Sequence, residues 1–213
     1  MADAATKSSL VSGACDRLRQ LIVDGELIPG QRLVETDLME QLSVSRGTLR
    51  EAMRALAAEG LVDLKPHQSA RVRRFEPDEL RDLFDIRLEL ESLAARLAAE
   101  RRPQAGKRLL ELAKEMEEAE RAGDLRRHID MNREFHSTII EASTNRQLGE
   151  LLRLLHLQAF RAVFTKAIRP EDASASNREH RAIAKAIAAG DGERAAEEMR
   201  KHIARSRTLI ARV

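Results

Sequence analysis

The spacing of apolar residues along the chain changes near residue 75. Before it, short helical stripes are separated by glycine and proline, and after it, long stripes run with few breaks. Because residues on one face of a helix recur about every 3.6 positions, both spacing patterns predict helices. Pro77 follows the change and suits the first turn of a helix. We therefore predict an N-terminal domain of residues 1–75 and a C-terminal domain of residues 76–213.

The first domain is predicted to contain three helices and a hairpin. The helices are expected over residues 10–24, 35–42 and 46–59. Ser45 is the expected N-cap of the third, and Gly60 is the glycine that ends it. Two segments alternate as strands do, at residues 61–64 and 70–73. Three helices followed by a two-stranded wing form a winged helix-turn-helix.

The second domain is predicted to be a helical bundle. Six helices are expected, over residues 77–101, 104–122, 124–143, 146–168, 176–189 and 191–211. The first repeats apolar residues at helical spacing, at Leu83, Ile86, Leu90, Leu93 and Leu97. Asp124 and Asp191 directly follow glycines, where helix N-caps are expected. The predicted fold class is mainly α, with a winged helix-turn-helix before an all-α bundle of six or seven helices.

Composition excludes several classes of protein. Aromatic residues are 2% of the 213 residues, with no Tyr or Trp, which argues against an all-β fold. A single cysteine excludes an internal disulfide and a multi-cysteine zinc site. The sequence contains neither a signal-peptide pattern nor an apolar run of membrane-spanning length. We expect a soluble, cytoplasmic protein with no membrane partner.

Charge directs attention to local patches. The formal net charge is only +2, so binding to nucleic acid would need a local basic surface. Arg46, Arg50 and Arg54 are spaced four apart at the start of the third helix and therefore share a face. A helix start placed in a major groove can present such arginines to phosphates or guanine edges. An arginine face that is merely solvated explains the spacing equally well.

Three sequence motifs around this arginine face resemble those of a known DNA-binding domain. Residues 25–33 (GELIPGQRL), 44–52 (VSRGTLREA) and 59–62 (EGLV) occur in order, and residues 10–74 resemble the DNA-binding domain of the GntR family of bacterial regulators. The resemblance implies that Arg46 and Arg50 contact operator DNA and that Thr48 and the wing contribute. In the wing we assign this role to His67 and Arg71. Many members have Thr-Pro at the positions of Gly47 and Thr48.

Three histidines are the candidate chemistry of the second domain. His136, His180 and His202 lie on three predicted helices, and a short turn separates the last two of these helices. Three converging imidazoles can bind Zn²⁺ or Ni²⁺ with coordination positions left open. The spacing alone favours the simpler interpretation, in which each histidine is an ordinary surface or core residue.

Residues 78–211 resemble the FCD domain, which marks the FadR subfamily of GntR regulators. The similar motifs are residues 82–87 (DLFDIR), 132–136 (NREFH), 179–183 (EHRAI) and 189–191 (AGD), together with His202. The resemblance implies a divalent metal, Zn or Ni, with Asn132, His136, His180 and His202 as ligands. Asn132 replaces the usual aspartate, so this ligand supplies an oxygen but no negative charge.

The resemblance further implies a small carboxylate effector, such as a hydroxy acid, a keto acid or a sugar acid. Arg87 and Arg161 have apolar neighbours and could bind a carboxylate bidentately, although each is equally well an ordinary helix arginine. The expected protein is a homodimeric transcription regulator, most often a repressor in this family, on a palindromic operator. The alternatives are a metal-free pocket with an arginine-anchored ligand, and a metal-dependent hydrolase using the three histidines. No nucleophile motif supports an enzyme.

Overall fold

The structure is a computed structural model that describes residues 2–65, 69–155 and 170–210. Within these ranges the helices are α1 (Ala2–Asp24), α2 (Glu35–Leu42), α3 (Arg46–Ala58), α4 (Pro77–Arg101), α5 (Ala105–Ala122), α6 (Leu125–Ala142), α7 (Arg146–Leu154), α8 (Pro170–Ala188) and α9 (Gly192–Ile210). Two strands, β1 (Val62–Asp63) and β2 (Arg71–Val72), form an antiparallel pair. The mainly helical fold class is confirmed. The chain divides into two compact units, the first ending at Phe75 and the second beginning at Glu76.

The first unit surrounds its own hydrophobic core. The large side chains that are most completely buried in this core come from α1 and α3, and they are Leu18, Leu21, Leu49 and Leu56. Burying each such leucine contributes about 1.5–3 kcal/mol to the free energy of unfolding. The face of α3 opposite its arginines therefore anchors this helix to α1, as the apolar spacing predicts.

The ends of α3 are defined by two local contacts. Ser45 Oγ accepts a hydrogen bond from the backbone N–H of Thr48 at 3.2 Å, which caps the first turn. Gly60, just past the other end, has φ of +73°, a conformation that favours glycine. The predicted N-cap and the predicted terminating glycine are both confirmed, and the cap at Ser45 fixes where the arginine face of α3 begins.

The wing is a short sheet with an added backbone bridge. Val62 pairs with Val72, and Arg32 forms an isolated bridge to Arg71 on the outer side of β2. The two strands are shorter than the predicted segments, and Pro66, His67 and Gln68 at the tip lie outside the described residues. The described wing thus places Arg71 in the sheet.

Cys15 packs inside the first unit. Its Sγ lies 3.7 Å from the carbonyl oxygen of Ala52, and the side chain is buried between α1 and α3. Burial, with a smaller effect of the nearby Glu59 carboxylate, raises the pKa of the thiol. The cysteine therefore serves as a small core residue here.

The second unit is a bundle in which α4 packs on α9 and α6, and α5 packs on α6 and α8. Gly106 allows a close approach between α5 and α8, because a Cβ there would lie 2.5 Å from the backbone of Ala188. Asp124 and Asp191 cap α6 and α9, as predicted, by accepting N–H bonds at 3.0 Å. None of the described helices combines the length and the apolar character needed to cross a bilayer.

Three predicted helix limits are wrong. The first helix, expected from residue 10, begins at Ala2, because the alanine-rich stretch before residue 10 favours a helix without adding to the apolar stripe. The helix expected from residue 176 begins at Pro170, because proline lacks only an N–H that the first turn would leave unbonded. The helix expected over 146–168 ends at Leu154, with Leu155 as its C-cap. Residues 156–169 lie outside the described part of the chain.

The residues that α4 buries are not simply those of the apolar stripe predicted for this helix. Ile86 is 44% exposed, whereas Phe84, Arg87 and Glu91 are buried. The helix is therefore turned so that a charged pair enters the bundle. Alanines at 94, 95, 98 and 99 complete the buried face and let neighbouring helices approach.

Candidate metal centre and nucleic-acid interface

The three histidines converge inside the second unit. His136 lies on α6, His180 on α8 and His202 on α9, and all three are buried. One ring nitrogen from each lies within 4.8 Å of those of the other two. The ring centroids are 4.5–5.6 Å apart. We call this set the histidine cluster.

Glu91 of α4 holds one ring of the cluster. Its Oε2 lies 2.7 Å from Nδ1 of His136, and its Oε1 accepts a 2.9 Å bond from Nε of Arg87. Because a carboxylate can only accept, Nδ1 of His136 carries the proton and the ring lone pair is on Nε2. Carboxylates behind metal-binding histidines fix the tautomer in this way.

Glu179 of α8 has the same relationship to His202. Its Oε2 lies 2.9 Å from Nδ1 of His202, and its Oε1 accepts from Arg205 at 2.5 Å. Burial acts to raise the pKa of Glu179, but the hydrogen bonds from His202 and Arg205 outweigh it, and the pKa is lowered. Burial lowers the pKa of His202 more than Glu179 raises it. His202 is therefore neutral at pH 7, the form that binds metals.

The donor set of the cluster fits a borderline divalent metal. Imidazole nitrogen suits Zn²⁺, Ni²⁺ and Cu²⁺ better than Mg²⁺ or Ca²⁺, which prefer oxygen. Glu91 and Glu179 supply negative charge from behind two of the rings. Asn132 lies one helical turn before His136 on α6 and is half-buried. Its amide oxygen is the fourth ligand that the resemblance to FCD domains implies.

Sequence reasoning missed the three groups behind the rings, Glu91, Glu179 and Arg205. Signals for two of them existed: Glu91 follows Arg87 by four, the spacing of a helical ion pair, and Glu179 adjoins His180. Arg87 is buried in the bundle, one of the two interpretations that the sequence leaves open, and there it bonds to Glu91 and its guanidinium lies 4.7 Å from the centroid of the Phe84 ring. Arg161, the other proposed effector arginine, lies outside the described residues.

His128 shows what a structural histidine looks like in the same unit. It is buried, its Nδ1 lies 3.3 Å from the carbonyl oxygen of Met116, and it is not part of the cluster. The contrast separates the three clustered rings from an ordinary core histidine.

The N-terminal turn of α3 presents two arginines to solvent. Arg46 and Arg50 are exposed, and each has its Nε close to Glu35, the first residue of α2. Arg54, one turn later, is also exposed. The exposed arginines and the buried leucines lie on opposite faces of α3, so this helix start can contact a nucleic acid without disturbing the core.

The remaining residues assigned to DNA have other surroundings. Thr48 is only 6% exposed, and its Oγ1 lies 2.9 Å from Ser45 Oγ in the cap of α3. Arg71 donates from Nη1 to the carbonyl oxygen of Gly30 at 3.0 Å while its side chain stays exposed. His67 lies outside the described residues. Thr48 is thus placed to shape the helix start.

Comparisons with known proteins agree with both units. The profile described as "Bacterial regulatory proteins, gntR family" matches residues 10–72, and that described as "FCD domain" matches residues 82–205. The uncharacterized HTH-type transcriptional regulator BphR of Paraburkholderia xenovorans is 31% identical over 95% of this chain and 85% of its own length. The probable D-xylose utilization operon transcriptional repressor of Paenarthrobacter nicotinovorans is 30% identical over 93% of this chain and 88% of its own.

A solved structure agrees as well. The E. coli McbR/YncC structure superposes with a TM-score of 0.79 at 26% identity, covering 95% of this chain and 97% of that one. Both of the relatives named above carry the names of transcriptional regulators. The chain therefore belongs to the GntR family of bacterial transcriptional regulators, with a DNA-binding helix-turn-helix domain followed by an FCD domain.

Proposed function

We propose that this DNA-binding regulator is a repressor of FadR type whose operator binding is controlled by a small carboxylate metabolite. The effector would bind to a divalent metal, Zn²⁺ or Ni²⁺, held in the second unit. The observation that carries the proposal is the convergence of His136, His180 and His202, two of them backed by buried or half-buried carboxylates.

In this proposal Asn132, His136, His180 and His202 are the metal ligands. A metal held by these groups supplies a Lewis acid with coordination positions open to a carboxylate oxygen. All four ligands are neutral, because Asn132 stands where an aspartate is usual. The positive charge at the site is therefore reduced only from behind the rings, which favours an anionic effector.

The arginines named for the effector have separate roles here. Arg87 donates to Glu91, so it acts first by holding that carboxyl group in position behind His136. Any direct contact of Arg87 with an effector would be added to this bond. Arg161 is proposed as the second effector arginine on the sequence resemblance.

The DNA half of the proposal rests on the exposed start of α3. Arg46 and Arg50 would contact bases or phosphates in a major groove, with Thr48 shaping the helix start and His67 and Arg71 contributing from the wing. We propose that the chain acts as a homodimer on a palindromic operator, since a two-fold protein matches a two-fold site. The effector must then bind one arrangement of the dimer better than the other.

Metal content tests the proposal directly. Protein purified without a histidine tag or chelator should contain about one equivalent of metal per chain. His180→Ala should lose it, whereas His128→Asn, which changes a buried histidine outside the cluster, should retain it. A metal-free wild type that takes up neither zinc nor nickel would contradict the metal site. The search would then turn to ligands anchored by arginine alone.

The effector is tested on the metal-loaded protein. A panel of hydroxy, keto and sugar acids is titrated while operator binding is followed by fluorescence anisotropy. One class should change operator affinity in wild type and leave the His180→Ala variant unaffected. A metabolite that acts equally on both proteins would show that the effector does not use the metal.

A further inference from the structure

A carboxylate lies between the two arginines that are proposed to contact DNA. Oε1 of Glu35 is 2.8 Å from Nε of Arg50, and Oε2 is 3.6 Å from Nε of Arg46. The arginine side chains are 56% and 60% exposed, and that of Glu35 is 29% exposed. Glu35 therefore bridges from the start of α2 to the first and fifth residues of α3.

Stability does not explain this contact. Exposed ion pairs contribute little to the free energy of unfolding, because water screens them. A carboxylate at a DNA-binding surface also repels phosphates and so weakens binding. The placement of Glu35 is nevertheless supported locally, since the N-terminus of a helix favours an acidic side chain. Because Glu35 weakens DNA binding by repelling phosphates, we expect Glu35 to have a role in DNA recognition.

The chemistry of the guanidinium provides that role. The bond to Glu35 uses Nε of Arg50, and a guanidinium has four further N–H donors on its two Nη atoms. Two of those Nη donors can bond together to O6 and N7 of guanine. An arginine held through Nε is therefore oriented for a base edge. A phosphate approaching the same arginine would meet the charge of Glu35.

We propose that Glu35 is a specificity-determining positioning residue, which orients Arg46 and Arg50 for base contacts and lowers the affinity of the α3 face for DNA backbone in general. The inference rests on the proposed DNA contacts of these two arginines. It goes beyond them by assigning discrimination between operator and other DNA to an acidic residue outside α3.

The test compares Glu35→Gln with Glu40→Gln. The first substitution keeps a side-chain oxygen that can accept from Arg50 but removes the charge. Glu40 is an exposed acid on the same helix and pairs with no arginine among the described side chains. Its substitution therefore makes the same change in net charge without affecting an arginine. The probes are a random-sequence duplex and the duplex that wild-type protein enriches from a random pool.

We expect Glu35→Gln to bind the random duplex more tightly, with a log–log salt slope steeper by about one per chain. The ratio of enriched-duplex to random-duplex affinity should fall by about fivefold or more, the low end of one bidentate arginine contact. Glu40→Gln should change both affinities slightly and equally. Thermal unfolding of both variants should stay close to wild type, with a small decrease for Glu35→Gln because it loses a favourable acidic side chain at the start of α2.

Two results would overturn the inference. In one, Glu35→Gln behaves like Glu40→Gln on both duplexes, and in the other it weakens both duplexes equally. Arg50→Ala separates this failure from that of the underlying contact. If Arg50→Ala leaves binding to the enriched duplex unchanged, the arginine assignment itself fails. If Arg50→Ala weakens that binding while Glu35→Gln is neutral, only the role of Glu35 fails.

Discussion

Nδ1 of His202 lies 2.9 Å from Oε2 of Glu179, and Arg205 bonds to the other oxygen of the same carboxylate. The two bonds fix both the position of the carboxylate and the tautomer of the ring. His202 is thereby prepared to offer Nε2 without first losing a proton. Such preparation affects metal affinity more than it affects folding.

Glu179→Gln should therefore lower the affinity for Zn²⁺ by about 10- to 100-fold, the usual effect of removing a carboxylate behind a metal-binding histidine. Competition with a zinc-binding dye measures the change. Glu197→Gln, on the exposed face of α9, removes an equal charge and should leave zinc affinity as in wild type. Equal zinc affinities for all three proteins would mean that Glu179 has no part in the site.

The lowered pKa of His202 gives the metal-free protein a pH-dependent stability. Below about pH 6.5 the unfolded chain protonates this histidine before the folded chain does, so acidification favours unfolding. The free energy of unfolding should fall from about pH 6.5 down to the folded-state pKa. Glu179 adds a second loss of stability at more acidic pH, because its pKa is lower in the folded chain than in the unfolded chain. Its stabilising contribution is complete above the unfolded-state pKa and is lost as the pH falls to the folded-state pKa.

Urea unfolding at a series of pH values, with chelator present, measures this dependence. His202→Gln removes the group and should flatten the curve just below pH 6.5, whatever its effect on absolute stability. A His202→Gln curve parallel to that of wild type would show that another group causes the loss.

Arg50→Ala should weaken binding to the enriched duplex by about 5- to 150-fold, the range of one bidentate arginine contact. The α3 core face is untouched, so the thermal unfolding temperature should hold. Fluorescence anisotropy on labelled duplex provides the affinity. Arg17→Ala removes an exposed arginine of α1 and is the matched control. A similar loss in both variants would indicate a general charge effect.

Gly106→Ala should destabilise the second unit by about 1–3 kcal/mol, because the added Cβ would overlap the backbone of Ala188. Gly149→Ala is the opposite case within a helix. Among the described residues its Cβ would meet only Ile140, at 3.6 Å, so the better helix propensity of alanine should stabilise the protein by about 0.5–1 kcal/mol. Denaturant unfolding of the two variants should change in opposite directions.

Local signals predicted α2 and α3 closely, but they missed the start of α1. The limits of α2 agree with the structure, and α3 begins where Ser45 predicts, because capping is decided by neighbouring residues. The start of α8 was missed, since Pro170 can equally interrupt a helix or open one. Only the contacts of the following residues decide between these outcomes, and sequence pattern does not contain them.

The candidate metal site likewise contains residues that the sequence could predict and residues that it could not. The three histidines could be assigned from motif resemblance, and the structure brings them together. Glu91 was missed because pattern reading assigns charged residues to the solvent face of a helix. It is buried because Arg87, one turn earlier, compensates its charge. Buried charges are tolerated when paired, so the buried face of α4 does not follow the leucines.

The alkylation rate of the single cysteine of the chain can measure how often the first unit opens. Cys15 is enclosed by α1 and α3, and burial raises the pKa of its thiol, so an alkylating reagent meets a neutral, shielded sulfur. Alkylation then requires the helix-turn-helix core to open. The labelling rate measured in dilute denaturant would report the opening of this unit alone, in a protein whose other core contains no described thiol.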